Sequence, residues 1–279
     1  MIKSILLPID GSAFTQASLQ YGVSLARSFA ARLKVLTVVD IRIFEWAMAM
    51  GVEGFAPVIP SSAYQEESQQ LLEKKAEKIL ERAAEFLKGE NVNFETEKTS
   101  GSPSESICEK SRLTDIIIMG SHGEFARWSD KMLGATLESV SRLCIKPILV
   151  THKEFHPFKE ILFAYDGSQN SNKALPWVGS FASKLKIPVT ILTVNSNTRE
   201  AETILNEARE YLQAYNIKKV NAIKKSGDAT AEIISLADEK SHCLLIMGSY
   251  GHSRIREAIL GSTTVQVMRR ASVPILLVK

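Results

Sequence analysis

Short apolar runs alternate along the chain with longer amphipathic stretches. Ile2 to Pro8, Leu33 to Val39, Val92 to Lys98, Asp115 to Met119 and Pro147 to Val150 read as strands. So do Glu160 to Tyr165, Val189 to Val194, Lys218 to Lys224, Cys243 to Met247 and Pro274 to Val278. The unbroken Ile116-Ile117-Ile118 run is what a strand buried on both faces requires. Between strands, Leu71, Leu72, Ala76, Ile79, Leu80, Ala83, Ala84 and Leu87 recur at three- and four-residue spacing, with Glu73, Lys74, Lys78, Glu81 and Arg82 opposite them. That spacing predicts an amphipathic helix. Further helices are predicted near Asn172 to Lys184, Glu200 to Tyr215, Thr230 to Lys240 and Ser262 to Arg270. Strands alternating with helices predict a parallel sheet covered on both faces.

The pattern runs through the chain twice. An apolar run ending in Asp-Gly-Ser occurs at Leu6 to Ser12 and again at Leu162 to Ser168, and a Met-Gly-Ser-aromatic-Gly loop follows at Met119 to Gly123 and at Met247 to Gly251. The offset between copies is 156 at the aspartates but 128 at the glycine loops and 127 at Pro147 and Pro274, so the first copy is the longer. Most of the excess falls in Asp40 to Ser62, where Trp46, Met48, Met50, Phe55, Pro57 and Pro60 follow no clean period and predict a long, partly apolar loop. We therefore expect two tandem α/β domains, residues 1–151 and 158–279, joined near Thr151 to Pro157. Each is expected to be a five-stranded, mostly parallel open sheet with helices on both faces. Pro147 and Pro274 open the last strand of each copy, a position that suits an edge because proline cannot donate to a ladder. The copies could pair along these two edges, each protecting the other's backbone, and the same arrangement leaves a homodimer open.

Composition narrows the partners. With 279 residues, 45% of them apolar, the chain has ample core material for two domains. A net charge of only +3 gives no basic surplus that would favour DNA or RNA. No segment approaches about 18 uninterrupted apolar residues, so no membrane span is expected and the protein is read as cytoplasmic. Cys108, Cys144 and Cys243 are scattered and without CxxC spacing, which points to reduced core thiols. The five histidines form no ligand cluster; His152 and His156, the closest pair, fall in the connector. No metal site and no catalytic residue are singled out.

The candidate chemistry is an anion site. In the second copy, Gly248 and Gly251 are followed after nine residues by Gly261, Ser262 and Thr263. Glycines let the backbone approach a bulky phosphate, and Ser262 stands where a helix begins, offering hydroxyl and amide together. Open parallel sheets bind ligands beyond the carboxyl ends of their strands, where Asp166 and Gly248 both fall. The first copy keeps Asp10, Val38, Gly120 and Gly123, but ten residues precede Gly134, and Ala135 stands at the hydroxyl position. The extra residue is expected to shift the second loop, so weaker phosphate binding or none is expected there. Simpler readings stand beside these. Asp10 and Asp166 suit Asx turns or helix caps, His122 and His252 suit solvated loops, Arg254 and Arg256 a basic face, and Trp46 satellite packing. The chain has no GxxxxGK[ST] phosphate loop and no GxGxxG after either first strand, which removes fast phosphoryl transfer and dinucleotide chemistry from the leading readings.

The motif G-x2-G-x9-G-[ST], flanked by IMGSYG and VPILLV, resembles that of the universal stress protein family in its tandem form, and the resemblance covers almost the whole chain. It implies two Rossmann-like domains and an ATP-binding regulatory role in stress adaptation, with ADP or AMP as alternatives. Asp166 would hold the ribose with Gly248 close by, and the Val194 backbone would meet adenine. Gly251, Gly261, Ser262 and Thr263 would carry phosphates, with a divalent ion such as Mg able to bridge phosphate oxygens. Asp10, Val38, Gly120 and Gly123 are the weaker counterparts. The alternatives are a slow ATPase or self-phosphorylating enzyme, and a nucleotide-free scaffold or small-ligand-binding protein.

Overall fold

The computed structural model describes residues 2–40, 62–124, 133–240, 242–249 and 261–279. The long loop expected at Asp40 to Ser62, including Trp46, lies almost wholly outside the described residues, as do Gly251, His252, Arg254 and Arg256. The first half runs β1 (Ser4–Pro8), α1 (Thr15–Phe29), β2 (Arg32–Asp40), α2 (Ser62–Gly89), β3 (Phe94–Gly101), α3 (Pro103–Ser111), β4 (Ile116–Gly120), α4 (Ala135–Leu143) and β5 (Ile148–Thr151). The second runs β6 (Glu160–Ala164), α5 (Gln169–Leu185), β7 (Val189–Val194), α6 (Thr198–Gln213), β8 (Val220–Lys225), α7 (Ala229–Glu239), β9 (Cys243–Gly248), α8 (Ser262–Arg270) and β10 (Ile275–Val278).

Local chemistry sets the helix ends. The side chains of Ser168, Asn197 and Asp228 cap α5, α6 and α7, accepting from amides two or three residues on. Pro103 takes the first turn of α3, where its missing N–H costs nothing. α1 and α5 each close on a left-handed residue, Ala30 (φ 52°) and Lys186 (φ 56°). α2 starts nine residues before the first apolar position of its stripe, Leu71, because its opening turns are polar helix formers.

The strands form one sheet in the order β3-β2-β1-β4-β5-β10-β9-β6-β7-β8. Pairing is parallel within each half, and antiparallel between β5 and β10, where Val150 faces Ile275 and Ile148 faces Leu277. Both faces are covered, and alternate residues of one strand enter different cores: Ile5 and Leu7 pack on one side and Leu6 on the other. Each core draws on both halves of the chain. On one face, Phe29 of α1 meets Phe181 of α5 with ring centroids 5.2 Å apart. Tyr21 stacks on Phe158 at 5.1 Å, and its hydroxyl donates to the His156 carbonyl and accepts from the His156 amide. His152 Nε2 lies 3.1 Å from the Val273 carbonyl, which fixes Nε2 as the protonated nitrogen. Among the described residues, no helix is long and apolar enough to cross a membrane.

One expectation is corrected. Cys108 on α3 and Cys144 at the end of α4 are joined in a disulfide, their Cα atoms 5.0 Å apart, rather than standing as reduced thiols. Their separation of 36 residues carries no local signature; the pairing arises because α3 packs along α4. Closing a loop of that length stabilises a fold by about 4 kcal/mol on chain-entropy grounds. Cys243 remains a thiol, buried in β9, and burial pushes its pKa up to about 12.

Thiol titration tests this assignment. The native protein is expected to show no fast-reacting thiol, the denatured unreduced protein one, and the denatured reduced protein three; three thiols without reductant would refute the disulfide. A second expectation concerns acid. Burial holds His152 below the ordinary histidine value of 6.5, against the raising effect of the Val273 carbonyl. The unfolded chain then binds more protons than the native one just below pH 6.5, so this contribution is intact above that pH and is lost as pH falls through the lowered value. Urea unfolding between pH 7.5 and 5 is expected to show a steeper loss for the native sequence than for His152→Gln.

Candidate functional site

Strand register assembles the second-half site. Ala164 of β6 is level with Leu192 of β7 and with Met247 of β9. Two residues further on, the same register brings Asp166 level with Val194 on one side and with Ser249 on the other. Asp166 opens a tight turn: its Oδ1 accepts from the Ser168 amide at 3.0 Å, and Gly167 takes φ 72°, a conformation that favours glycine. The turn reading of this aspartate is therefore satisfied, and it holds the carboxylate at the strand end. Gly248 closes β9 against the start of α5, where an added Cβ would lie 2.8 Å from the carbonyl carbon of Asn170 and from the amide nitrogen of Ser171. Only glycine fits that approach.

Gly261 occupies the cap position of α8, with Ser262 and Thr263 as its first two residues. Having no side chain, Gly261 offers the opening amides of the helix no side-chain cap, which is the arrangement an anion can complete. Thr264 anchors this helix start to the glycine loop by donating its hydroxyl to the Ser249 carbonyl at 3.0 Å. The Ser249 hydroxyl is buried and, among the described residues, lacks a hydrogen-bond partner. Asp166, Val194, Gly248, Gly261, Ser262 and Thr263 thus share the carboxyl edge of the sheet, while Gly251 lies outside the described residues.

The first half repeats this frame with different chemistry. Asp10 accepts from the Ser12 amide at 3.0 Å, and Gly11 takes φ 75°. Asp10, Val38, Gly120, Gly123, Gly134, Ala135 and Thr136 all line one cavity of about 470 Å³. Gly134 caps α4 with φ −57° and ψ 130°, against −57° and 143° for Gly261, so the two helix starts have the same backbone form despite the longer first spacer. The two spacers themselves lie almost wholly outside the described residues, so the likeness is one of the helix starts. What differs is side chains. Ala135 replaces Ser262, Phe14 replaces Asn170 against the glycine, and the residue after Gly123 is Glu124. The Glu124 amide donates to Asp10 Oδ2 at 2.8 Å, and its carboxylate pairs with Lys75 of α2.

Sequence reading missed Lys75, Glu124 and Phe14. Lys75 and Glu124 meet only through tertiary packing, but Phe14 was findable by laying the two Asp-Gly-Ser turns over each other, which sets it opposite Asn170. Ile79 and Ile204 correspond only in space: they pack at 3.0 and 3.3 Å from where Cβ atoms on Gly11 and Gly167 would stand, while their offset along the chain is 125 rather than the 156 of the turns.

Comparison with known proteins bears on the family and the fold. The model of the universal stress protein family matches residues 1–152 and 196–279. A universal stress protein of Synechocystis sp. is 32% identical over 288 aligned positions, covering 99% of both chains. Another, from Methanocaldococcus jannaschii, is 29% identical over 155 positions, 55% of this chain and 84% of that protein. The crystal structure of a universal stress protein from Archaeoglobus fulgidus superposes with a TM-score of 0.77 at 24% identity, covering 99% of this chain and 98% of the other, a likeness of fold. Matched by the family model over most of its length and by a relative along its whole length, the chain belongs to the universal stress protein family.

Proposed function

We propose that the chain is a regulatory protein that binds an adenine nucleotide in its second half, ATP in the first instance with ADP or AMP as alternatives, and serves stress adaptation through the nucleotide's effect on its partner-facing surface. The reading is carried by one observation. The complete Gly248, Gly251, Gly261, Ser262 spacing coincides with a sheet edge where Asp166 and Val194 are level and α8 begins on an uncapped glycine. In this reading Asp166 accepts from ribose hydroxyls, the Val194 backbone meets the adenine edge, and Gly248 gives the ribose room. Gly251, Gly261, Ser262 and Thr263 supply amides and hydroxyls to the phosphates, helped by the positive end of the helix dipole. Among the described residues no group of three or more His, Cys, Asp or Glu is placed to hold a metal ion. A bridging Mg would then take its oxygens chiefly from the nucleotide. Asp10, Val38, Gly120 and Gly123 form the corresponding edge of the first half, where Glu124 and Ala135 oppose a phosphate.

Calorimetric titration is the test. The chain is expected to bind about one ATP, and Gly261→Asp is expected to weaken binding at least 100-fold, a loss of about 2.7 kcal/mol, because a carboxylate would sit at the phosphate position. Asp166→Ala is expected to weaken ATP and adenosine alike, since it acts on the ribose. Tight ATP binding that survives Gly261→Asp would overturn the assignment, and two equal sites would overturn the difference between halves.

A further inference from the structure

The cavity of the first half is walled differently from an anion site. It lies beyond the carboxyl ends of β1, β2 and β4, and its sides include Val38, Ala76, Ile79, Ile107, Met119 and Leu133. At about 470 Å³ it falls within the range of roughly 300–1,000 Å³ that holds small organic ligands. Its depth comes from α2. Ile79 and Ile204 hold corresponding places against Gly11 and Gly167, yet Ile79 is the eighteenth residue of α2 and Ile204 the seventh of α6. α2 therefore begins three turns earlier than its counterpart, and Leu72 and Lys75, from its added turns and just beyond them, line the cavity with Ala76.

The polar groups in the cavity work against an anion. The Glu124 amide, which follows the glycine loop and would otherwise face a phosphate, is spent on Asp10 Oδ2. The Glu124 carboxylate stays in the cavity wall as half of an ion pair with Lys75, so the lysine charge is already matched. A phosphate or carboxylate entering here would meet Asp10 beside a lysine whose charge Glu124 already matches, and would find alanine where the second half has Ser262. Phe14, in contact distance of Gly120 and beside the His122 ring at 5.4 Å, adds apolar surface where the second half has Asn170. An uncharged molecule has no such conflict, and its apolar surface is removed from water against the side chains of three strands and α2.

We propose that the first half is a second ligand site, which binds an uncharged, largely apolar small molecule in the cavity between the ends of β1, β2 and β4 and the extended helix α2. The site is independent of nucleotide binding in the second half. The probe N-phenyl-1-naphthylamine, uncharged at neutral pH and fluorescent in apolar surroundings, tests it on the full chain with ATP saturating. Saturable binding of one probe per chain is expected, with a dissociation constant below about 50 µM. Ala76→Leu, which fills the buried wall, and Ala135→Trp, which narrows the mouth from an exposed position on α4, are each expected to weaken it about tenfold or more while ATP binding is unchanged. If Ala76→Leu fails to fold, the exposed Ala135→Trp still decides. Gly261→Asp is expected to leave probe binding intact, which separates this site from the nucleotide reading. Absence of saturable binding, normal probe binding by the folded variants, or displacement of the probe by ATP in the Gly261→Asp chain would overturn the proposal.

Discussion

Parallel pairing of the central strand of each half with a neighbour on both sides is the constraint on which the carboxyl edge of each half depends. β6 lies between β7 and β9, and β1 between β2 and β4, so the turn aspartate of each half emerges level with one strand's end and beside the other's glycine loop. A slip of one residue in either pairing would exchange the two faces of the strand. Ile5, Leu6 and Leu7 are all fully buried, as are Ile161, Leu162 and Phe163, so such a slip would repack both cores rather than one. The register is fixed by packing on two sides, and the position of the polar residues beyond the strand ends follows from it.

The antiparallel contact of β5 with β10 has a different consequence. Each of these strands stands last among the five of its own half, and their pairing within the single sheet hides two apolar backbone edges, leaving β3 and β8 as the outer strands. Those outer strands are polar. On β3, Glu97 pairs with Lys34 and Lys110, and the hydrogen bond from Lys110 leads in holding its carboxyl below the usual range. On β8, Lys224 pairs with Glu202 and Lys225 with Glu232. Charged side chains along an exposed edge discourage further strand addition. The apolar edges thus lie at the centre of the molecule and the charged ones at its limits.

Much of this was legible in the sequence because it rests on local signals. All ten strands fall within two or three residues of their predicted ranges, and for the inner ones this is because a strand covered on both faces must be apolar at nearly every position. The turn aspartates, the glycines and Ser262 were legible because their spacing is short and repeated. The sequence was silent where structure depends on distant contact. The Cys108–Cys144 bond and the Lys75–Glu124 pair join residues on different elements, and no spacing rule anticipates either. The early start of α2 was hidden for another reason: its first turns carry no apolar stripe, and helix propensity alone is a weak signal beside a strong periodicity.

The sequence marks two differences between the halves, the length of the spacer and the side chain after its closing glycine, and the helix starts on which those spacers end are alike in backbone. Gly134 and Gly261 adopt nearly the same dihedral angles at the head of equivalent helices, and Asp10 and Asp166 make the same turn with the same left-handed glycine. A duplicated frame preserved this closely can change its ligand only through side chains that line the cavity and are not needed to build it. Phe14, Glu124 and Ala135 are such residues: each stands beside a retained glycine, and each replaces polarity or adds charge without touching the register. On the two proposals made above, the packing that would present an anion site in one half is therefore the same packing that would let the other half hold something uncharged.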